Sequence, residues 1–254
     1  MRIFIDAGHN HSGFNTGAVG NGMREQDITF EVSYKLGEIL KKAGLDVRLS
    51  RPVLETNLGT DNASAINARW QLANFWGAEL FISVHVNAGG GTGVETLYGK
   101  DDSHKLAQTL QDVYAAALEL RSRRVWRRED LAVVKHTNAP AVLVELGFID
   151  APSGSLDVDI LKNRRQDMAQ ALADGIFAYL GINANVQADE AKEGAPETTQ
   201  VIERFNSIAQ MPDWAGPTIE KLVKKGYLVG DGTGLDLSRD MIRMFVIFDR
   251  AGLF

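Results

Sequence analysis

The sequence contains no cysteine, which excludes a disulfide framework and any metal site built from thiolates. A bound metal would have to be held by histidine, aspartate or glutamate, a donor set that suits a hydrolytic centre better than a structural zinc site. No apolar run approaches the roughly 18 residues that span a bilayer, so no membrane span is expected. No basic segment followed by an apolar one precedes the first predicted strand, and we therefore expect synthesis in the cytoplasm without a signal peptide.

Positive charge is also in short supply. The 27 lysines and arginines are outnumbered by 33 aspartates and glutamates, and the net charge of −6 argues against a nucleic-acid partner. One local exception is an arginine cluster formed by Arg121, Arg123, Arg124, Arg127 and Arg128. A solvated basic loop is the simpler interpretation of this cluster, and attraction to an anionic polymer is the alternative.

Strands and helices alternate along the first 180 or so residues. Strands are predicted at 2–9, 45–49, 81–88, 94–98, 131–134 and 141–145, and helices at 26–43, 61–76, 103–120 and 163–180. Thr60 or Asp61 and Ser103 are the expected N-caps, and Gly44, Gly77 and Gly181 are the expected stops. This order predicts an α/β fold, a mostly parallel twisted sheet with helices on both faces.

Composition divides the chain into two domains. From Asn183 to Thr199 large apolar residues almost disappear, which predicts a large N-terminal domain at 1–181, a linker at 182–200 and a small helical C-terminal domain at 201–254. The small domain shows two helical patterns around a Gly/Asp turn. Its second helix is expected to start at an N-cap, Ser238, and to carry Met241, Met244, Phe245 and Phe248 inward.

Polar residues end three of the predicted strands. His9, His85 and Glu145 should meet at one edge of a parallel sheet, and Glu25 opens the first helix after a long Gly/Asn-rich loop. Three protein ligands plus a water form a hydrolytic zinc site, with a further carboxylate as general base. Alternatives to this zinc site stay open. Strand-end histidines often only form a hydrogen bond with the backbone, and Glu145 could form a salt bridge with an arginine. His11 is a rival ligand to His9.

Four ordered motifs carry a family resemblance. They are Ile5-Asp6-Ala7-Gly8-His9, Glu25 at the helix start, Ser83-Val84-His85-Val86-Asn87-Ala88, and Pro140 to Ile149 with Glu145 at its centre. Together they resemble the zinc-dependent N-acetylmuramoyl-L-alanine amidases (amidase type 3).

The resemblance implies one Zn²⁺ on His9, Glu25 and His85, and Glu145 as the catalytic glutamate. It also implies hydrolysis of the amide between the lactyl group of N-acetylmuramic acid and L-alanine in peptidoglycan. Asn87 is a candidate substrate-binding residue, and Arg69 matches a recurring arginine that we expect to be structural.

The C-terminal region resembles a single S-layer homology motif. The features that carry this resemblance are Trp214-Ala215, the turn Gly230-Asp231-Gly232-Thr233, and Ser238-Arg239. It implies a module that binds the cell wall, with a secondary wall polymer as partner. Because the family usually has tandem copies, a lone copy implies self-association; the alternative is a small packing domain.

The resulting hypothesis is a modular lytic enzyme, a phage endolysin or a bacterial autolysin, that acts on the wall after release from the cell. The two alternatives are a wall-binding protein without catalytic activity and a zinc peptidase that acts on the stem peptide.

Overall fold

The computed structural model describes residues 1–182, 203–228 and 234–250. The chain forms two compact units, Met1–Gly194 and Ala195–Phe254. The predicted linker, except for Ile182, and the predicted Gly/Asp turn at 230–233 lie outside the described residues. Within the described ranges, every helix is too short or too polar to cross a membrane.

A six-stranded sheet organises the first unit. Its strands are β1 (Arg2–Ala7), β4 (Asp46–Leu49), β5 (Leu80–Asn87), β6 (Val94–Tyr98), β7 (Ser122–Arg127) and β8 (Ala141–Phe148), while β2 (Val19–Gly20) and β3 (Met23–Arg24) form a separate hairpin. The strand order is β4-β1-β5-β8-β6-β7. The first four strands are parallel, β6 runs antiparallel to β8, and β7 is parallel to β6. The predicted mostly parallel sheet is confirmed.

Helices cover both faces of this sheet. They are α1 (Glu25–Lys42), α2 (Asn62–Trp76), α3 (His104–Leu118), α4 (Ala132–Lys135), α5 (Leu156–Asn163) and α6 (Arg165–Leu180). Apolar residues of α1, α3, α5 and α6 share one core with the sheet, and residues of α2 and α4 pack with Phe4 and Phe81 on the other face. Burial of these two apolar layers is what makes the α/β arrangement stable.

Several helix ends follow the local sequence as expected. Asp61 caps α2, because its side chain accepts a hydrogen bond from Ser64 N while the Ser64 hydroxyl accepts one from the Asp61 backbone. Gly77 and Gly181 end α2 and α6 in the left-handed conformation. Ser103 precedes α3 but makes no capping bond, since its hydroxyl donates to Asp102 and accepts from Ala141 N.

Three local predictions were wrong or incomplete. Residues 131–134, predicted as a strand, belong largely to the short helix α4. The arginine cluster, predicted as a loop, supplies edge strand β7. Charged residues are common on edge strands because they discourage pairing with other chains. The arginines of β7 therefore interrupted the apolar pattern by which a strand is usually predicted. Helix α5 was not predicted.

The second unit has a small core of its own. It contains β9 (Arg204–Phe205), α7 (Gly216–Lys224), β10 (Leu237–Ser238) and α8 (Arg239–Arg250). The Ser238 hydroxyl accepts a hydrogen bond from Met241 N at 3.2 Å, as predicted for an N-cap. Among the described side chains of α8, Ile242 and Val246 are buried. Of the four residues predicted to point inward, all are half-buried, and Met241 and Phe245 pack against this core. The predicted inward face is therefore confirmed for Met241 and Phe245, but the most deeply buried of the described positions are Ile242 and Val246.

Candidate active site

Three side chains converge at the carboxyl ends of β1 and β5. These strands are adjacent and parallel, so His9, which follows β1, lies beside His85 of β5. Glu25 Oε1 lies 2.9 Å from His9 Nε2 and 3.2 Å from His85 Nδ1. The candidate ligand atoms of all three residues fall within 4.8 Å of one another, and we call this group the His-Glu-His cluster.

Backbone groups fix the carboxylate of Glu25. Its Oε1 accepts a hydrogen bond from Val86 N at 2.9 Å, and its Oε2 accepts one from Ala18 N at 2.9 Å. A Cβ on Gly17 would lie 2.6 Å from Oε2, so only glycine allows this close approach. Burial alone would raise the pKa of Glu25, but hydrogen bonds with His85 and His9 outweigh it and lower that pKa. Glu25 is therefore an anion at neutral pH.

The two histidines are held by the segment after β1. His9 has a left-handed backbone with φ of 67°, an uncommon conformation for a residue with a Cβ. A Cβ on Gly8 would lie 2.6 Å from the His85 ring and from Val84 O. Burial lowers the pKa of His85, although Glu25 acts in the opposite direction. His85 therefore favours the neutral form, which is the form that binds metals.

The predicted rival, His11, does not belong to this cluster in the described part of the chain. His104 and His136 are exposed, on a helix start and after α4 respectively. Two imidazole nitrogens and one carboxylate oxygen form a donor set typical of catalytic zinc. The cluster thus fits a zinc ion with three protein ligands, whereas any thiolate-preferring metal is a poor match.

Glu145 lies next to this cluster. It occupies β8 directly opposite His85 of β5, and residues paired in this way point to the same face of a sheet. Its Oε2 atom is buried and has no hydrogen-bond partner among the described residues. Burial, followed by the negative charges of Glu25 and Glu95, raises the pKa of Glu145 to about 8. A carboxyl group with such a pKa is suited to exchanging a proton near neutral pH.

Glu145 also lines a cavity of about 270 Å³, here called the cleft. Its other lining residues include Asn87, Glu95, Arg123, Arg124, Trp126 and Arg128. Asn87 Nδ2 donates to Glu95 Oε2 at 3.1 Å, so the predicted substrate-binding residue borders the cleft but is engaged by a neighbouring carboxylate. Most of the cleft's polar groups come from β6 and β7, which the sequence did not connect to the site.

Two structural acids were missed by sequence reasoning. Asp150 accepts hydrogen bonds from Gly89 N and Gly90 N, at 2.7 and 3.0 Å, and thereby fixes the loop that follows β5. Glu95 lies opposite Glu145 in the sheet and binds both Asn87 and Arg123. A signal existed only for Asp150, since it directly follows the motif that contains Glu145.

Arg69 lies beneath the site rather than in it. The buried guanidinium donates to Asp6 Oδ1 and to Ala7 O, both at 2.7 Å, and contacts Asn10 Oδ1 at 3.3 Å. Through these bonds it holds both sides of the segment that carries His9. This is the structural role that the sequence predicted.

Comparison with known proteins identifies the catalytic unit. The family model "N-acetylmuramoyl-L-alanine amidase" matches residues 3–178. The chain is 33% identical over 180 residues to the sporulation-specific N-acetylmuramoyl-L-alanine amidase of Bacillus subtilis, covering 69% of this chain and 65% of that protein. It is 31% identical over 219 residues to the endolysin of Bacillus phage SPP1, covering 80% and 76%.

A solved structure shares the fold. The N-acetylmuramoyl-L-alanine amidase from Clostridium difficile 630 is 30% identical, with a TM-score of 0.60, and the match covers 71% of this chain and 96% of that one. The family match covers well over half of the sequence, and it includes the six-stranded sheet except for Arg2, the first residue of β1. The chain therefore belongs to the N-acetylmuramoyl-L-alanine amidase family, and the class of enzyme predicted from its sequence is confirmed.

Proposed function

We propose that this protein hydrolyses the lactyl–L-alanine amide of peptidoglycan by a zinc-dependent mechanism in which Glu145 is the general base. The observation that carries the proposal is the placement of Glu145 beside the His-Glu-His cluster, in register with His85. This arrangement combines a metal-ligand set and a separate carboxylate of raised pKa on one edge of the sheet.

His9, Glu25 and His85 would hold the zinc. When bound, zinc polarises a carbonyl and increases the acidity of a coordinated water. Glu25 contributes a fixed negative charge, because two backbone N–H groups and both histidines bind its carboxylate. The neutral His85 ring and the constrained His9 backbone complete an arrangement that needs little reorganisation, which favours catalysis.

Glu145 would move the proton. The buried Oε2 has no competing partner among the described residues, so the ionised carboxylate can take a proton from the attacking water at this atom. A zinc cation held beside it would favour that ionised form, which burial alone disfavours. The same carboxyl group then delivers that proton to the nitrogen of the departing L-alanine. Proton transfer of this kind contributes typically about 10²–10⁴-fold to a rate.

Asn87 is proposed to contribute to substrate binding at the wall of the cleft. It carries one amide donor to Glu95 and donates no other hydrogen bond to a side chain within the described ranges. Its second amide hydrogen is therefore available to a substrate carbonyl.

The second unit is proposed to bind the cell wall, with a secondary wall polymer as its partner. Self-association is proposed to bring copies of this unit together, as tandem motifs within one chain would. Two large aromatic side chains support a binding role: Trp214 is 41% exposed and Tyr227 is 61% exposed. Wall binding is tested by sedimenting Trp214→Ala with purified walls. Self-association is tested by measuring the mass of the wild type by ultracentrifugation. Wall binding by Trp214→Ala at the wild-type level would contradict the first role, and a wild type that is monomeric at all concentrations would contradict the second.

The biological setting follows from the substrate. We propose that the enzyme is synthesised in the cytoplasm and acts on the wall after release, as an endolysin or an autolysin. The similarity to the endolysin of phage SPP1 extends over 80% of this chain and supports the lytic role.

Product analysis on purified peptidoglycan tests the reaction. The proposal predicts new amino-terminal alanine without new reducing sugar ends. New amino groups from other residues of the stem peptide would instead indicate a peptidase. Binding to walls without any release of material would indicate a protein that has lost catalysis.

A further inference from the structure

A line of charged residues leads away from the His-Glu-His cluster. His85 of β5 is paired with Glu145 of β8, Glu145 with Glu95 of β6, and Glu95 with Arg124 of β7. Paired residues share one face of a sheet, and neighbouring strands are about 4.8 Å apart. The line therefore extends over roughly 14 Å, the length of about four residues of extended peptide.

The far end of this line is built around Trp126. The Arg124 guanidinium lies 3.4 Å from the centre of the indole ring, which fixes its plane by a cation–π contact. Arg128 approaches the same ring at 5.3 Å. An aromatic platform of this kind reduces the conformational entropy that a long side chain loses when it binds a ligand.

The three arginines of the cleft differ in what they already bind. Arg123 donates to Glu95 at 2.7 Å, and Arg128 binds Asp130 with two hydrogen bonds. Arg124 pairs with Glu95 through Nε, at 3.2 Å. Among the described residues, no hydrogen bond involves its two Nη atoms, although the side chain lines the cleft and is 47% exposed.

We propose that Arg124 binds a free carboxylate of the stem peptide, on the second to the fourth residue from the scissile amide. This inference rests on the proposed function, since it takes the peptide to run from the His-Glu-His cluster across β8 and β6 to β7. The pair of Nη groups matches the two oxygens of a carboxylate, a bidentate geometry that a carboxamide cannot reproduce with the same charge. Arg124 of the arginine cluster would thus select substrates that carry this free carboxylate.

A substrate series tests this inference. Muramyl peptides are prepared in which each free carboxylate of the stem peptide is replaced, one at a time, by its carboxamide, and kcat and KM are measured for each. A charge-assisted hydrogen bond pair corresponds to a preference of about tenfold or more in kcat/KM. Wild type should lose this factor with one of the carboxamides. Arg124→Gln should lose the preference, mainly through KM for the free acid, and Arg124→Lys should retain part of it.

Arg127→Gln is the matched control. Arg127 lies on the same strand and is paired with Asp101 and Glu129 outside the cleft, so this variant should keep the wild-type preference. The ratio between two substrates does not depend on the fraction of folded protein. Equal cleavage of all substrates by wild type, or a preference that survives in Arg124→Gln, would overturn the inference and leave the proposed function intact. No cleavage of any substrate by wild type would overturn the proposed function itself.

Discussion

Arg69→Met should destabilise the catalytic unit strongly. The Arg69 side chain is 3% exposed, and its partner Asp6 is completely buried at 2.7 Å. Methionine fills similar space but leaves the Asp6 carboxylate in the core without its counter-ion. The hydroxyl of Ser83 continues to donate to Asp6 at 2.7 Å, and the carbonyl of Ala7 loses a donor.

The magnitude follows from this burial. Removing one partner of a buried ion pair costs about 3–5 kcal/mol of the free energy of unfolding, because an uncompensated charge stays buried. For a unit of this size each kcal/mol lowers Tm by roughly 2–4 °C, so Tm should fall by roughly 6–20 °C. Thermal unfolding followed by circular dichroism, with a chelator present to exclude metal linkage, measures the change.

Lys41→Met provides the control. Lys41 pairs with Glu38 at 3.2 Å on the exposed face of α1, and such a pair contributes about 0.5 kcal/mol or less. Its Tm should change by no more than about 2 °C. Adding Asp6→Asn to Arg69→Met should recover part of the loss, since the buried charge is then gone. Equal Tm losses for Arg69→Met and Lys41→Met, or no recovery in the double variant, would refute this reasoning.

Three further predictions concern the same region. Gly8→Ala should weaken zinc binding in equilibrium dialysis, because its Cβ would meet the His85 ring at 2.6 Å; unchanged affinity would be inconsistent with this packing. Burial raises the pKa of Asp6, but Arg69 and two serine hydroxyls outweigh it and lower that pKa, so the folded state binds the proton less tightly than the unfolded state. In urea unfolding, the stabilisation from Asp6 should therefore be fully present above the ordinary aspartate pKa and be lost as the pH is lowered. The free energy of unfolding should fall less steeply with decreasing pH in Asp6→Asn. Asp157→Asn should lower the free energy of unfolding in urea by about 1–3 kcal/mol. The Oδ1 atom of buried Asp157 accepts from two backbone N–H groups, and asparagine removes the negative charge that strengthens both hydrogen bonds.

The sequence predicted the parts of the site that local patterns encode. An apolar run that ends in a polar residue marks a parallel strand and its carboxyl end, and this predicted that His9 and His85 meet at one edge of the sheet. In the structure their strands are neighbours. Glu25 was harder to place by chemistry alone, because its position depends on a hairpin, β2–β3, inside a segment predicted as a loop. The residues alone indicated that Glu25 could return to the edge where the two histidines meet, and the family resemblance then implied its role as a ligand.

What the sequence could not provide is pairing between distant strands. Strand β6 runs antiparallel to β8, and this reversal brings Glu95 opposite Glu145. No periodicity within either strand records that partnership. Five arginines within eight residues likewise obscured strand β7, whose alternation of Arg124 and Trp126 on one face is meaningful only once the neighbouring strand is known.

If His9, Glu25 and His85 hold zinc while Glu145 transfers the proton, loss of the Glu145 carboxylate should slow the reaction without releasing the metal. The most direct test counts bound zinc and measures release of amino-terminal alanine from peptidoglycan for wild type and Glu145→Gln. We expect about one zinc per chain in both proteins and a rate that falls by about 10²–10⁴-fold in the variant. A variant that keeps the wild-type rate, or a wild type that cleaves this amide at full rate after its zinc has been removed, would contradict the account.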